Sequence, residues 1–281
     1  MSWNPHRYSE IQRVLEENGL WLVRSRGQNY LIDKSIASRI VNMVPHDIPI
    51  FEVGCGLGSL TVLLPPRKVY ALEIDHGIFR LVQSLIQDPG IHFLEGDFLT
   101  FDVQGLGEKR LFFLSNLPYS ISGEALRRFI DIPCFEEGIV MVQKEFYERM
   151  IATEREKNYG VFTILIQSFL EVKQIFTVPK GCFFPIPSVD SVVIHISKKN
   201  PVMDTSPQHY EKLQQAFRSF LLEAFGSKRK TILNNLKRTR EEKNLLEAFH
   251  TLEIAQTSRP EEIPTEKWQK LFLMVGEKPW I

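Results

Sequence analysis

A short apolar run, Ile50-Phe51-Glu52-Val53, leads directly into Gly54-Cys55-Gly56-Leu57-Gly58, and the chain turns apolar again over Ser59-Leu60-Thr61-Val62-Leu63-Leu64. The first run has the length and composition of a buried strand, and the last has helical apolar character. Glycines between a strand and a helix let the backbone approach a ligand, and a helix N-terminus offers unpaired N–H groups. The next apolar run, Lys68 to Leu72, ends in Glu73, roughly 20 residues beyond the first glycine, the distance at which an acid meets ribose hydroxyls. Taken alone, the glycines suit a tight turn that packs helix on strand equally well. The series of strand, glycines, helix and acid-ended strand predicts a nucleoside-cofactor site.

Further strand candidates recur with helical stretches between them, at 49–53, 68–73, 91–94, 111–115, 138–143 and 189–196. This alternation predicts a mostly parallel sheet with helices on both faces. The last strand follows the proline-rich Phe183-Phe184-Pro185-Ile186-Pro187 without a full crossover helix, which suits an antiparallel placement. Beyond Lys198-Lys199-Asn200-Pro201 the pattern becomes purely helical, with Phe217, Leu221, Ala224 and Phe225 on one stripe and further segments at 229–237, 241–249 and 265–275. The domain boundary is therefore expected near residue 200. Met1 to Tyr8 read as a loose tail.

At the end of the apolar run Leu111-Phe112-Phe113-Leu114-Ser115 stands Asn116-Leu117-Pro118-Tyr119. Open α/β sheets place their ligands at the carboxyl ends of strands. An amide and a neighbouring backbone carbonyl, that of Leu117 or Pro118, can accept N–H bonds from the exocyclic amine of a flat heterocycle, and the Tyr119 ring can stack on it. Such an amine is a poor nucleophile, because its lone pair is spread into the ring; drawing its hydrogens out of plane localises that pair. Asn and Pro are also ordinary strand-ending turn residues. No paired acid and base for hydride transfer stands out, so S-adenosylmethionine suits the glycine site better than a nicotinamide dinucleotide. Gly96-Asp97-Phe98, after Ile91 to Leu94, adds an acceptor for the cofactor's adenine amine with Phe98 packing nearby, or else a turn aspartate.

The 281 residues suit one large domain and a smaller one. No stretch approaches the ~20 apolar residues of a membrane span, and the N-terminus lacks an apolar signal core. Cys55, Cys134 and Cys182 show no paired spacing, so neither a disulfide framework nor a metal site is expected, and a reducing cytoplasm is. The 34 basic residues balance 34 acidic ones, which counts against strong nonspecific nucleic-acid binding, yet distribution can outweigh the total. Two stretches are free of acid: Asn18 to Ile32, with Arg24 and Arg26, and Ala224 to Arg240, with Lys228, Arg229, Lys230, Lys237, Arg238 and Arg240. They read either as solvated helix faces or as phosphate-contacting edges.

With these residues in view, the chain resembles the small-subunit ribosomal RNA adenine N6,N6-dimethyltransferase family. The likeness is carried, in family order, by Gly27-Gln28-Asn29-Tyr30-Leu31-Ile32-Asp33, Glu52-Val53-Gly54-Cys55-Gly56, Ala71-Leu72-Glu73-Ile74-Asp75, Gly96-Asp97 and Asn116-Leu117-Pro118-Tyr119. It continues through Gln143-Lys144-Glu145, Tyr159-Gly160, Phe183 to Ser191 and Lys228-Arg229-Lys230-Thr231. The resemblance implies an α/β, Rossmann-like class I SAM-dependent methyltransferase sheet with a small C-terminal all-helical domain. Residues 1–200 would form the catalytic part and 201–281 a helical rRNA-binding part. It implies S-adenosylmethionine held by Asn29, Leu31, Gly54, Gly56, Glu73, Asp97, Phe98 and Asn116. It further implies a target adenine sandwiched between Tyr119 and Phe183, beside the carbonyls of Leu117 or Pro118. Its partner would be small-subunit rRNA in a pre-ribosomal particle, met by a monomer, with two methyls added to each of two adjacent adenines. Departures are Cys55 where proline is frequent, Tyr30 for the usual Phe, and Arg26 for a small or apolar residue.

Three other readings are weighed against this one. The large-subunit rRNA methyltransferase of macrolide resistance shares the motifs, but the helical tail and the Phe183 to Ser191 segment favour the small-subunit enzyme. A DNA adenine methyltransferase would need a specificity domain that is not evident. A noncatalytic nucleic-acid-binding or ribosome-assembly factor on the same fold is disfavoured by the presence of Gly54, Glu73, Asp97 and Asn116 together.

Overall fold

The computed structural model describes residues 3–20, 29–199, 207–227 and 229–276. In chain order the principal elements are α1 (Tyr8–Glu17), β1 (Tyr30–Leu31), α2 (Lys34–Val41), β2 (Ile50–Val53), β3 (Val69–Glu73), α3 (His76–Leu85), β4 (Ile91–Glu95), β5 (Leu111–Asn116), α4 (Ser122–Asp131) and β6 (Phe135–Gln143). There follow α5 (Lys144–Ile151), α6 (Val161–Phe169), β7 (Leu170–Val178), β8 (Phe183–Phe184), β9 (Ser191–Lys198), α7 (Pro207–Ala224), α8 (Ile232–Leu236), α9 (Glu242–Thr251) and α10 (Thr265–Val275).

Seven strands form one sheet in the order β4-β3-β2-β5-β6-β9-β7. Neighbours from β4 to β6 run parallel, whereas β9 lies antiparallel to β6, pairing Asn116's neighbour strand to Ser191 at its Gln143 end. The chain steps outward from β2 to β3 and β4, then returns across β2 to β5. This reversal opens a crevice at the carboxyl ends of β2 and β5, where Val53 and Asn116 lie. Strands β2 and β3 are buried at every position, as strands covered on both faces by helices must be. A cluster including Ile40, Val41, Ile50, Val69, Ala71, Phe112, Leu114, Ile139, Met141 and Val193 forms the core of this layer.

The six strands expected from the apolar runs are present. A seventh, β7, and the two-residue pair β1–β8 were not anticipated. The helix expected over Ser59 to Leu64 is a tight turn followed by a single 3-10 turn at Thr61–Leu63. Pro65 and Pro66 stop it, since neither can donate to a continuing helix. The expected tail is also anchored: Trp3 Nε1 donates to Leu57 O at 2.9 Å and His6 Nε2 to Ser59 O at 3.0 Å. Behind them α1 buries Ile11, Val14 and Leu15 against Leu57, Ile78 and Leu81. The N-terminal segment thus holds the glycine loop from outside.

The chain separates into two compact units, one of residues 1–147 and 172–197, the other of 148–171 and 198–281. The last passage between them falls at 197–198, near the expected boundary, but 148–171 also joins the second unit. Seven of the nine residues of α6 are buried, so a helix this apolar needs partners on several sides. It finds them among the C-terminal helices, where Phe169 meets Phe217 at 6.1 Å and Phe217 meets Phe272 at 5.3 Å. The expected α7 stripe is buried at Phe217, Leu221 and Ala224. Tyr159 OH donates to Ile263 O at 2.7 Å and Trp268 Nε1 to the same carbonyl at 3.1 Å, fixing the turn ahead of α10.

Candidate active site

Local chemistry at the strand ends builds one cavity of about 400 Å³ in the first unit. Its glycine wall is tied to β3, because Gly54 N and Cys55 N both donate to Leu72 O, at 2.8 and 3.1 Å. Gly56 turns at φ +54°, and a Cβ there would lie 2.7 Å from Tyr30 Cε1. Only glycine accommodates both the left-handed turn and that ring. The Gly56 amide donates to Glu73 Oε2 at 2.9 Å, while Asp75 N donates to Glu73 Oε1 at 2.9 Å. Burial raises the Glu73 carboxyl above its ordinary range, and these two N–H groups oppose that rise. Asp75 in turn caps α3 by accepting from Ile78 N at 3.1 Å, so the end of β3, its carboxylate and the next helix are set together.

Asp97 follows β4 in a turn and lies at the cavity. One oxygen, Oδ1, accepts from Leu99 N at 2.8 Å, as a turn aspartate does. The other receives no hydrogen bond from the described residues, and the residue lines the cavity. Phe98 also lines it while being 2% exposed, packed against Phe51 and Phe113.

Asn116 sits where β5 leaves the sheet. Ser115 Oγ donates to Val53 O at 2.6 Å, binding the ends of β5 and β2 side by side. The Asn116 Nδ2 donates to Asn29 O at 2.9 Å. A carbonyl can only accept, so the amide is oriented with its NH₂ toward Asn29 and its Oδ1 left without a protein donor among the described residues. The two backbone carbonyls that follow differ. Pro118 O already accepts from Ile121 N at 3.1 Å and Ser122 Oγ at 3.1 Å, which starts α4. Leu117 O accepts from no described residue, while Leu117 N is held by Met141 O at 3.1 Å. Of the two carbonyls, Pro118 O is thus engaged within the protein and Leu117 O is not, among the described residues. Tyr119 bonds through its hydroxyl to the buried Ser191 Oγ at 3.1 Å, which fixes the ring at the rim, and burial raises its pKa.

Phe183, expected to face Tyr119 across the adenine, is not among the residues that line the cavity. It is 1% exposed in the core beneath β8, paired in register with Leu31. Side chains alternate along a strand, so of the two adjacent phenylalanines one turns inward. Phe184 is the partly exposed one, and it meets Tyr8 edge-on at 4.6 Å. The cavity does gather Asn29, Leu31, Gly54, Gly56, Glu73, Asp97, Phe98, Asn116, Leu117, Pro118 and Tyr119.

Ile74 and Glu52 are among the lining residues to which the sequence reading gave no role of their own. Ile74 is 60% exposed at the cavity; an apolar residue between the acids Glu73 and Asp75 was the available sign of it. Glu52 is 2% exposed, accepts from Thr61 Oγ1 at 2.7 Å, and is pushed by burial to about 8. Its carboxyl is protonated in the folded protein below that value and ionised above about 4.5 when unfolded. Stability from this source is therefore fully present below pH ~4.5 and is lost as pH rises through ~8. Glu52→Gln keeps the acceptor for Thr61 and removes the titration. Melting of the ligand-free protein at pH 5, 7 and 9 is expected to show the variant gaining on the natural protein as pH rises; parallel curves would mean that Glu52 is not buried as the acid.

Of the basic residues expected to meet phosphate, Arg229, Lys230, Lys237 and Arg238 are exposed. Arg24, Arg26 and Lys228 lie outside the described residues. Arg240 is committed elsewhere: it pairs with Glu223, donates from Nε to Val275 O at 3.0 Å and lies over the Phe220 ring. Among the described residues no group of His, Cys, Asp or Glu is placed to hold a metal ion, and no helix is long and apolar enough to cross a membrane.

A model of the ribosomal RNA adenine dimethylase family matches residues 22–276. The chain belongs to that family. Ribosomal RNA small subunit methyltransferase A of Malacoplasma penetrans is 36% identical over 263 residues, spanning 92% of this chain and 93% of the relative. The protein of the same name from Thermotoga maritima is 34% identical over 264 residues, spanning 92% and 87%. The crystal structure of a dimethyladenosine transferase from Plasmodium falciparum matches with a TM-score of 0.71 at 25% identity, covering 86% of this chain and 95% of that one. The 23S rRNA methyltransferase ErmE shares the fold, with a TM-score of 0.65 at 23% identity over 87% and 98% of the two chains. The enzyme is a SAM-dependent rRNA adenine dimethyltransferase.

Proposed function

We propose that the enzyme methylates N6 of two adjacent adenosines near the 3′ end of small-subunit rRNA, to the N6,N6-dimethyl state, acting as a cytoplasmic monomer on a pre-ribosomal particle. The observation that carries this reading is the Asn116 amide, held by Asn29 O so that Oδ1 and the unengaged Leu117 O are both available as acceptors at one end of the cavity. The names of the small-subunit relatives support the choice of RNA.

The residues fit S-adenosylmethionine. Glu73 supplies an acceptor for ribose hydroxyls, the second oxygen of Asp97 an acceptor for the adenine amine, Ile74 an apolar surface for a flat ring, and the glycine turn a close-approach wall. When bound, S-adenosylmethionine supplies an electrophilic methyl on a sulfonium. The chain's own part is positioning. An adenine leaves its stack, its ring lies against Tyr119, and stacking of that kind is worth about 1–3 kcal/mol per base. Asn116 Oδ1 and Leu117 O accept the N6 hydrogens and draw them away from conjugation, which aims the nitrogen lone pair at the donor. Catalysis then comes chiefly from alignment in a site sheltered from water. No general base is required, because the methylated amine formed on attack is acidic and releases its proton to water. Exposed Arg229, Lys230, Lys237 and Arg238 in the helical part contact rRNA phosphates, with Arg24, Arg26 and Lys228, positioning the substrate without reading its sequence.

Labelled methyl transfer to purified, undermethylated small subunits tests the reading. Four methyl groups per particle are expected, located by primer extension at two neighbouring adenosines of the small-subunit RNA. Label confined to large-subunit RNA, or absent from both, would overturn it.

A further inference from the structure

The turn that carries Asp97 and Phe98 at the cavity is tethered at both ends. At its entry Gly96 N donates to Glu73 O at 2.9 Å, which ties it to the end of β3. The chain then closes on itself, with Thr100 N and Phe101 N donating to Asp97 O at 3.0 and 2.8 Å. Where Phe101 lies therefore sets where Asp97 lies. At the exit Arg128, in the last turn of α4, donates from its guanidinium to Phe101 O. The same guanidinium stands 5.8 Å from the centre of the Phe98 ring, within the range of cation–π attraction.

A cation in the last turn of α4 suits the helix dipole, but an exposed lysine would serve that purpose equally. Arg128 is instead half-buried, and its Nε is buried with no hydrogen-bond partner among the described residues. A buried donor left unpaired opposes stability, so folding alone gives little reason for a guanidinium here. Its position offers another. The first turn of α4 is built on Pro118 O, which accepts from Ile121 N and Ser122 Oγ. One short helix thus joins the turn that follows Asn116 to the turn that holds Asp97.

We propose that Arg128 is a positioning residue for the base of S-adenosylmethionine. From α4 it holds the second Asp97 oxygen and the Phe98 ring in place without touching the cofactor. This rests on the placement of the adenine amine at Asp97 proposed above and deepens it. The Gly96 tether to Glu73 does not depend on Arg128, so its loss loosens recognition of the base and spares the ribose end. Calorimetry with 5′-methylthioadenosine and 5′-methylthioinosine tests this, because they differ only in the base, an exocyclic amine in one and a carbonyl in the other. The natural protein is expected to prefer the adenine ligand about 100-fold, since a carbonyl facing a carboxylate oxygen leaves two acceptors unpaired. Arg128→Met keeps the apolar stem of the side chain and is expected to reduce that preference about tenfold, with the Kd for the inosine ligand changed by less than about twofold. An undiminished preference would overturn the assignment. So would an equal weakening of both ligands, the mark of a residue that merely supports the fold. Should the methionine variant not melt cooperatively, Arg128→Lys carries the comparison, because lysine lacks the planar fork; about a threefold loss of preference is expected, and an undiminished one overturns the assignment. Equal affinities of the natural protein for the two ligands would instead overturn the placement of the adenine amine at Asp97, and this role with it.

Discussion

Asn116→Ala is expected to lower single-turnover methyl transfer roughly 100- to 1000-fold, the scale seen when one preorganised hydrogen-bonding group is removed from a reacting centre. The affinity for S-adenosylmethionine should weaken only severalfold. The two effects separate because Asn116 has two ends. Its Nδ2 bonds Asn29 O at 2.9 Å, and losing that bond loosens the segment leading to Leu31 at a cost of about 0.5–1.5 kcal/mol. In the proposed complex its Oδ1 accepts from the amine, and without it Leu117 O alone would not hold both hydrogens, so the lone pair would return to conjugation. Asn116→Asp provides a sharper contrast. A carboxylate has two acceptors but nothing to donate to Asn29 O, so it cannot keep the amide's orientation. Calorimetry with the cofactor, paired with labelled transfer to undermethylated subunits, reads both quantities. Near-normal turnover in Asn116→Ala would remove the amine clamp.

The parts of this molecule that were legible in the sequence are those where local pattern and tertiary need agree. Strands β2, β3 and β5 are almost wholly buried, so their mainly apolar runs announced them, and the acids and amide at their ends could be placed at one rim. Strand β7 was not read because Leu170-Glu171-Val172-Lys173-Gln174-Ile175 is mixed in character, with a burial pattern to match at the sheet edge. The pair β1–β8 is two residues long, too short for any period to register. Ser59 to Leu64 look helical by composition, but Pro65 and Pro66 limit them to one 3-10 turn. Phe183 illustrates a different limit. Two neighbouring phenylalanines precede Pro185, and which of them turns inward is decided by pairing with Tyr30 and Leu31, residues about 150 positions away in sequence. Likewise the engagement of the Pro118 carbonyl, and not that of Leu117, depends on Ser122 and Ile121 taking Pro118 O for the start of α4. Partners of this kind are invisible until the chain is folded.

Glu73→Ala is expected to raise the Kd for S-adenosylmethionine by about 100-fold or more. Glu73 is 6% exposed, and each of its oxygens accepts one backbone N–H, from Gly56 and from Asp75, both at 2.9 Å. Hydrogen bonds to a charged group contribute about 1.5–3 kcal/mol each, and tenfold in affinity corresponds to about 1.4 kcal/mol. Removing the carboxylate therefore acts twice. It deletes the acceptor proposed for ribose, and it frees the Gly56 turn and the entry to α3, which form one wall of the cavity. Glu73→Gln separates these actions, because the amide retains one acceptor oxygen but its NH₂ opposes a second backbone N–H. An intermediate affinity is expected for it, with a smaller loss of melting temperature than for alanine. The anchored N-terminal segment limits how far the damage spreads: Trp3 and His6 still hold Leu57 O and Ser59 O, so Glu73→Ala should retain a cooperative melt. A cooperative Glu73→Ala protein that binds the cofactor within threefold of the natural affinity would show that neither the ribose nor the glycine turn depends on this acid.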